Sequence, residues 1–290
     1  MNFKAITISD KKTIDGFLDG CCMMGSECSF ANMFIWQPDY NIEYTIEDGF
    51  LCLRGKYKDK PRYYLLPVGD GDKKGTIEKI INLAHSDGEK CVFRQLQKES
   101  AKYLEKTFPG MFKITKNRSA AEYIYKTESL ITLKGRKLHS KRNHLNKFLK
   151  QYPYKYEEIT KDNIDEAYEF ALKSLEGRDD AGEEKVSIDR LFGYFWELET
   201  SGALLRVDDM VVAVTVGEPL NERTAVIHLE KADTDIDGAY TAINQMFAEN
   251  RFSGTEYINR EEDMGIEGLR RAKLSYQPEI LLMKYSAEEV

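Results

Sequence analysis

Residues 224–261 have the sequence TAVIHLEKADTDIDGAYTAINQMFAENRFSGTEYINRE, and this stretch decides the fold class. Apolar alternation in TAVIHLEKA and EYINRE predicts two strands, and helical periodicity predicts a helix over 240–251 between them. Residues 62–96, RYYLLPVGDGDKKGTIEKIINLAHSDGEKCVFRQL, repeat this order, with a helix predicted over 76–85. The turn after the first strand also repeats, as Asp70-x-Asp72-x-x-Gly75 and Asp233-x-Asp235-x-x-Gly238. The repeat predicts an α/β protein of two similar halves, each with a mixed sheet flanked by helices, in which 91–96 match 256–261.

The repeat extends on both sides of this unit. In the first half we predict a strand at FKAITIS, helices over 11–20, 29–36 and 100–108, a hairpin turned by Asp48-Gly49, and strands at FKIT and EYIYKT. In the second half we predict strands at YKYEEIT and ILLMKY, helices over 162–175, 187–201 and 268–275, and a hairpin around Asp208-Asp209. Each half therefore runs strand, helix, helix, hairpin, strand, helix, strand, helix, strand.

The charge of the chain is unevenly distributed. The net charge is −7, but residues 1–150 contain 27 Lys and Arg against 18 Asp and Glu, whereas residues 151–290 contain 15 against 31. This asymmetry predicts either a basic surface for an anionic partner or an attraction between the two halves.

The N-terminal sequence and the cysteines indicate the compartment. No apolar run follows basic residues near the start, and no stretch of eighteen apolar residues occurs, so we expect a cytoplasmic protein without stable membrane insertion. The five cysteines lack paired CxxC spacing and are interpreted as reduced, mostly buried thiols: Cys21, Cys22, Cys28, Cys52 and Cys91.

Residues 134–150 form a basic connection between an N-terminal domain (1–133) and a C-terminal domain (151–290). They carry seven Lys and Arg and no acid, and we predict a helix that begins near Arg136. Its narrow apolar stripe would contain Leu138, Leu145, Phe148 and Leu149. The opposite face is either a solvated linker surface or a phosphate-binding surface for a donor, formed by Arg136, Lys137, Lys141 and Arg142.

Three stretches carry a family resemblance: SFANMFIWQPDY (29–40), EYIYKTESLITLKGRKLHSKRNHLNKF (122–148) and YINREEDMGIEGLRRAKLSYQPEILLMKY (257–285). They resemble a bacterial family related to the catalytic domain of phosphatidylglycerol lysyltransferase, over nearly the whole chain. The resemblance implies a tandem, duplicated GNAT-like (acyl-CoA N-acyltransferase-like) fold. It also implies transfer of an acyl or aminoacyl group from an acyl-CoA or an aminoacyl-tRNA to an amine or hydroxyl acceptor, such as a small-molecule or peptide amine. Asn32 and Trp36 lie at family-like positions and are candidates for substrate binding. The alternative is that Trp36, with Phe34 and Tyr40 at helical spacing, is a core residue.

In the second half, the turn that would bind a phosphate is acidic. Asp233, Asp235 and Asp237 beside Gly238 would repel a pyrophosphate, so we expect weak binding of acetyl-CoA by the second half. The same aspartates copy the first part of a calcium loop, but position twelve is Asn244, and we predict no metal site. The simpler interpretation is that Asp237 caps the next helix.

The strand VIHLE supplies the first candidates for catalysis. Alternation places Val226, His228 and Glu230 on one face. Glu230 could act as the general base for an attacking amine, or be a paired structural carboxylate. His228 is a candidate for substrate binding or a core histidine.

The segment from Asn259 to Asp263 is the strongest candidate site, because polar side chains at the carboxyl ends of strands often meet ligands. Arg260 could bind a phosphate or carboxylate, and Asn259 could bind substrate, while Glu261 and Asp263 are candidate catalytic acids or binders of an amine. The alternative is an acidic first turn of a helix. Arg94, in the matching strand of the first half, is expected to converge with Glu230 and Arg260.

Two functions stay open at this point. One is direct acylation of an amine, with a small-molecule acceptor and tRNA as a candidate partner. The other is a non-catalytic ligand-binding protein that retains the fold. We find no GxSxG motif, no cysteine with a motif-bound histidine and no metal-binding pair, since His139 and His144 are five residues apart, and these patterns disfavour a hydrolase or a metalloenzyme.

Overall fold

Two aspartate turns form the hairpins that the sequence predicts. Asp48 and Gly49 have φ angles of 50° and 82°, and Asp208 and Asp209 have φ angles of 49° and 64°. Two successive residues with positive φ match the right-handed twist of the flanking strands. The register pairs Glu47 with Phe50 in the first half and Val207 with Met210 in the second.

The computed structural model describes residues 1–19, 23–177 and 181–290. Its helices are α1 Lys11–Leu18, α2 Phe30–Tyr40, α3 Lys73–Ser86, α4 Lys98–Thr107, α5 Thr127–Thr132, α6 His139–Gln151, α7 Ile164–Lys173, α8 Ala181–Gly193, α9 Ala239–Phe252 and α10 Glu267–Ser275. Its strands are β1 Lys4–Ala5, β2 Glu43–Glu47, β3 Phe50–Gly55, β4 Tyr63–Tyr64, β5 Val68–Gly69, β6 Val92–Leu96, β7 Phe112–Lys126, β8 Tyr154–Glu158, β9 Ser201–Val207, β10 Met210–Asn221, β11 Thr224–Ala232, β12 Tyr257–Glu262 and β13 Ile280–Glu289. None of the helices so described is long and apolar enough to span a bilayer.

The first compact unit contains residues 1–23, 27–122 and 282–290. Its strand order is β1-β2-β3-β4-β6-β13-β7, with β5 beside β3. An apolar core in this unit contains Ile77, Ile80 and Ala84 of α3 together with Phe50 and Phe93 from the strands. These helical residues follow the 3.6-residue period that the sequence shows.

The second unit contains residues 24–26 and 123–281. Its strand order is β7-β12-β11-β10-β9-β8, and its core includes Ile243 and Phe247 from α9. Gly238, at φ 89°, is the N-cap of α9, and an added Cβ there would clash with the backbone oxygen of His144. This close approach requires glycine and lets α6 pack across the start of α9.

The units do not divide the chain at the sequence boundaries of 133 and 150. Strand β7 leaves the first unit after Glu122, and β13 returns to it at Leu282. The basic segment and residues 123–133 thus group with the second unit. Sequence periodicity identifies strands but not their neighbours, so it could not locate these crossings.

Several predicted boundaries were wrong. FKAITIS forms only the short strand β1, since Ile8–Asp10 is a 3-10 helix, and FKIT and EYIYKT are parts of one strand, β7. The helix predicted over 187–201 is α8, which ends at Gly193 and is followed by the left-handed Glu199. The basic helix α6 begins at His139 and not near Arg136, and its N-cap is Leu138.

Three of the five cysteines lie among the described residues. Cys28, Cys52 and Cys91 are buried thiols, as expected, and burial raises the pKa of Cys52 and of Cys91 to about 12. Cys21 and Cys22 lie outside the described residues.

Candidate active site

Strands β11 and β12 place the candidate side chains. They pair in parallel from Thr224–Tyr257 to Val226–Asn259, and the pairing ends there although both strands continue. His228 and Glu230 on β11, and Arg260 and Glu261 on β12, all lie beyond this point. Side chains in such a position are free to meet across the strand ends.

Glu230 and Arg260 form a buried ion pair. Arg260 Nη2 lies 2.6 Å from Glu230 Oε1, and their side chains are 12% and 11% exposed. Asn244 on α9 donates from Nδ2 to Glu230 Oε2 at 2.9 Å. This bond fixes the orientation of the Asn244 amide, since its oxygen would be repelled by the carboxylate. Two buried atoms around the pair, Arg260 Nη1 and Asn244 Oδ1, have no hydrogen-bond partner within the described part of the chain.

Aromatic rings surround the Arg260 guanidinium. Its Cζ lies 4.6 Å from the Tyr276 ring centroid and 5.7 Å from that of Tyr125. Burial lowers the pKa of Arg260, but Glu230, Tyr125 and Tyr276 together raise it above its usual value. Burial raises the pKa values of both tyrosines, so the rings stay neutral beside the cation. A desolvated guanidinium on aromatic faces is held rigidly.

Lys141 reaches the same ring from α6. Its Nζ lies 4.2 Å from the Tyr276 centroid. Burial, and then the charge of Arg260, lower the pKa of Lys141. The sequence placed this residue on a solvated or phosphate-binding helix face, but the structure brings it to Arg260.

His228 lies between two carboxylates. Its side chain is fully buried, with Nδ1 3.0 Å from Glu261 Oε1 and Nε2 3.1 Å from Glu218 Oε1. Burial alone would lower the pKa of His228, but its hydrogen bonds with Glu218 and Glu261 raise it to about 10. Because both ring nitrogens donate, the imidazolium has no lone pair for proton abstraction.

Asp263 and Asn259 hold the backbone that follows β12. The buried Asp263 accepts from Tyr123 Oη at 2.5 Å, from Arg270 Nε at 2.8 Å and from the Gly265 amide at 2.8 Å. Asn259 is also buried, donates to the Met24 carbonyl at 2.7 Å and accepts from the Glu261 amide at 2.7 Å. These bonds stabilise the left-handed conformation of Glu261, at φ 54°.

Lys273 on α10 forms hydrogen bonds with the same backbone segment. Its Nζ donates to the Arg260 carbonyl at 2.6 Å and also to the Glu262 carbonyl. Burial lowers the pKa of Lys273. Lys273 thus binds the backbone on both sides of Glu261.

The other residues of the basic segment have different environments. Arg136 and Lys137 are exposed, whereas Arg142 Nη1 donates to the carbonyls of Leu133 and, at 3.3 Å, of Gly135. Arg142 therefore stabilises the loop before α6. Of the predicted apolar stripe, Leu138 and Phe148 are buried and Leu145 packs on the core, but Leu149 is 38% exposed.

Asp237 does not cap α9, contrary to the sequence interpretation. The N-cap is Gly238, and no side chain caps this helix. The Asp237 carboxylate instead lies 3.0 Å from His144 Nδ1 and 2.5 Å from Lys147 Nζ, both on α6. In the described ranges, no group of three or more His, Cys, Asp and Glu side chains is arranged to hold a metal ion.

The remaining candidates belong to the first unit. Arg94 on β6 has its Cζ 5.2 Å from the Tyr63 ring centroid. Asn32 and Trp36 lie on α2, where both are half-buried, and Trp36 makes an edge contact with Tyr40 at 6.2 Å. Glu230, Arg260, His228 and Glu261 are brought together in the second unit.

Sequence analysis missed Asn244, Glu218, Tyr125 and Tyr276. Asn244 and Glu218 are buried polar residues in the mostly apolar runs AYTAINQMF and VVAVTVGE, which is a detectable signal. The two tyrosines carry no such signal, because aromatic residues are ordinary core residues.

Comparisons with known proteins agree with this architecture. A protein of unknown function from Bacteroides thetaiotaomicron is 37% identical, covers 100% of both chains and superposes with a TM-score of 0.95. The L-PGS of Bacillus licheniformis is 17% identical, covers 97% of this chain and 92% of its own, and has a TM-score of 0.70. An uncharacterized protein of Mycoplasmoides gallisepticum is 27% identical over 175 residues, and the match spans 58% of this chain and about half (56%) of that relative.

The predicted tandem GNAT-like fold is also confirmed. A tandem GNAT protein from the clavulanic acid biosynthesis pathway superposes over 99% of this chain and 98% of its own, at 10% identity and a TM-score of 0.53. The model of the family described as phosphatidylglycerol lysyltransferase, C-terminal, matches residues 23–288. With this match over nearly its whole length, the chain belongs to the phosphatidylglycerol lysyltransferase C-terminal domain family.

Proposed function

We propose that this chain transfers an aminoacyl or acyl group to an amine or hydroxyl acceptor, with aminoacyl-tRNA as the favoured donor. The observation that carries the proposal is the buried Arg260, held by Glu230 and stacked on Tyr276 beside Lys141, in a member of this family. A preorganised cation of this kind can stabilise negative charge that develops on the carbonyl under attack.

The contacts of Glu230 support a positioning role. Its two oxygens accept from Arg260 and Asn244, so the carboxylate orients the guanidinium and is poorly placed to accept a proton as a general base. Glu261 pairs with the His228 cation and Asp263 with Arg270. In this proposal both acids support the β12 backbone that carries Arg260.

Charge supports tRNA over acyl-CoA as the donor. Asp233, Asp235 and Asp237 line the turn before α9, where an acyl-CoA pyrophosphate would bind in an ordinary acetyltransferase. Lys134, Arg136 and Lys137 are exposed in the segment before α6 and offer cations to a phosphate backbone.

A transfer assay tests the reaction. The chain is incubated with bulk tRNA charged with radiolabelled amino acids or, in parallel, with labelled acetyl-CoA, and with polyamine and peptide amines as acceptors. We expect label to move from tRNA to an acceptor faster than spontaneous hydrolysis, and Arg260→Met to slow this transfer about 100-fold or more. Arg223→Met is the matched control, since Arg223 also pairs with a glutamate (Glu256) and lies over a tyrosine (Tyr257), but its side chain is 69% exposed.

Docking of tRNA is tested separately. Changing Lys134, Arg136 and Lys137 together to Glu should weaken tRNA binding and flatten its salt dependence. Lys141 and Arg142 are left unchanged, because they contact Tyr276 and the Leu133 carbonyl. Salt-independent binding, or binding that survives the triple change, would contradict a phosphate-backbone contact here.

The second candidate is a ligand-binding protein without catalysis. The observation that favours it is that Glu230, Glu261 and Asp263 each accept hydrogen bonds from a cationic partner, so their oxygens are already engaged within the chain. Tight retention of a ligand in native mass spectrometry, with no transfer of label in any combination, would identify this function.

A further inference from the structure

Two elements place positive charge around one tyrosine ring. Lys141 comes from α6, Arg260 from β12, and Tyr276 follows α10. The Lys141 ammonium lies 4.2 Å, and the Arg260 guanidinium carbon 4.6 Å, from the centre of that ring. Two cations that share one ring repel each other, and the charge of Arg260 contributes to the lowered pKa of Lys141.

The hydrogen-bonding capacity of these cations is not used up. Within the described ranges, Lys141 makes no hydrogen bond or ion pair, although its side chain is half-buried. Arg260 Nη1 likewise lacks an acceptor and is buried. An ammonium removed from bulk water without a carboxylate partner is unfavourable unless a ligand supplies the counter-charge.

Glu230 does not supply the missing hydrogen-bond acceptor or the missing counter-charge. Its oxygens are bound by Arg260 Nη2 and Asn244 Nδ2, and the charges around the Tyr276 ring are those of Arg260 and Lys141 against this single carboxylate. Counting these charges leaves an excess of positive charge. The excess lies beside an aromatic surface and not in open solvent, which strengthens its attraction for an anion.

We propose that Lys141, Arg260 and Tyr276 form an oxyanion subsite that binds a phosphate or carboxylate group of a substrate. Lys141, which is partly exposed, meets the ligand first, and the ligand gives Arg260 Nη1 the acceptor that it lacks. A phosphate would come from the donor, and a carboxylate from an amino-acid or peptide acceptor. The subsite rests on the proposed function for its biological meaning, but its binding chemistry can be tested without turnover.

The experiment follows the Lys141 side chain directly. The intact chain is labelled with 13C at the lysine ε-carbons, and the Lys141 signal is assigned as the one missing from Lys141→Met. Inorganic phosphate and acetate are titrated in separate arms at constant ionic strength. We expect a saturable shift of the Lys141 signal with at least one anion, and a tenfold or greater loss of affinity in Arg260→Lys, because lysine lacks the planar fork. The stronger arm identifies the phosphate or the carboxylate source.

A second variant should bind the anion more tightly, whereas Arg260→Lys should bind it more weakly. Glu230→Gln keeps the shape of the side chain and removes the competing negative charge, so it should tighten anion binding several-fold. A purely structural role for the ion pair would not produce this gain. Lys58→Met is the matched control, since Lys58 also lies over a tyrosine ring, that of Tyr57 at 4.8 Å, and should leave binding unchanged.

Two results would overturn the subsite. A shift that does not saturate and that is the same at Lys58 would indicate ionic strength alone. Weaker binding in Glu230→Gln would also contradict the charge argument. Saturable binding without transfer of label would sustain the subsite while the proposed transfer reaction fails, so the two failures are distinguishable.

Discussion

The ends of β6 and β12 share a backbone conformation but differ in their surroundings. In each, an arginine precedes a left-handed residue, Gln95 at φ 56° and Glu261 at φ 54°. Two buried residues come before each arginine. These features make Arg94 equivalent to Arg260, whereas the sequence match of 91–96 with 256–261 aligns Arg94 with Asn259.

The surroundings decide what each arginine can do. Arg94 lies over Tyr63 and, in the described part of the chain, has no hydrogen bond or ion pair. Arg260 is locked by Glu230, with Tyr276 and Lys141 beside it. The repeated backbone therefore supplies the position in both halves, but only the neighbours supplied by β11, α6 and α9 make a charged site.

The largest difference in stability between the two strand ends should appear when each arginine is replaced by methionine. Arg260→Met leaves Glu230 buried with only Asn244 as partner and should lower the free energy of unfolding by about 3 to 5 kcal/mol. Arg94→Met removes a partly exposed cation–π contact and should cost within about 1 kcal/mol. Denaturation in urea measures both. Equal losses would mean that the two strand ends are energetically alike.

The pH dependence of stability should also differ between a histidine of the second unit and one of the first. His228 has a pKa of about 10 in the folded chain and about 6.5 when unfolded, because Glu218 and Glu261 bind its cation. Its contribution is thus fully present below about pH 6.5 and is lost as the pH rises towards 10. Between pH 6.5 and pH 9, the free energy of unfolding of the wild-type chain should fall by about 3 kcal/mol more than that of His228→Gln.

The matched control for this titration is His85→Gln. His85 pairs with Glu289 in the first unit, but its side chain is 51% exposed. Because an exposed ion pair contributes little, His85→Gln should change the free energy of unfolding by less than about 1 kcal/mol. A slope that flattens in His85→Gln and not in His228→Gln would reverse the assignment.

The smallest difference concerns the repeated aspartate turns. Asp72 caps α3, since its carboxylate accepts from the Gly75 amide at 2.9 Å, and Asp72→Ala should cost about 1 kcal/mol. Asp235, the equivalent residue, does not cap α9, whose N-cap is Gly238, so Asp235→Ala should leave thermal stability nearly unchanged. Similar losses in both variants would indicate that the turns have the same role.

The amino-acid sequence by itself determined the elements and their duplicated order. Alternation and helical periodicity located β11, α9 and β12, and the Asp-Gly and Asp-Asp turns located the hairpins, because these signals depend on residues close together in the chain. The sequence also identified Glu230, Arg260 and His228 as candidates from their places on strands.

Only the tertiary structure decided which of these residues meet. It placed Lys141 over Tyr276, joined Asn244 to Glu230, and set His228 between Glu218 and Glu261. It also returned β13 to the first unit and gave Asp237 to α6 in place of α9. These partners are separated by 10 to 135 residues along the chain. Their approach depends on how helices pack on the sheet, and local periodicity carries no information about that packing.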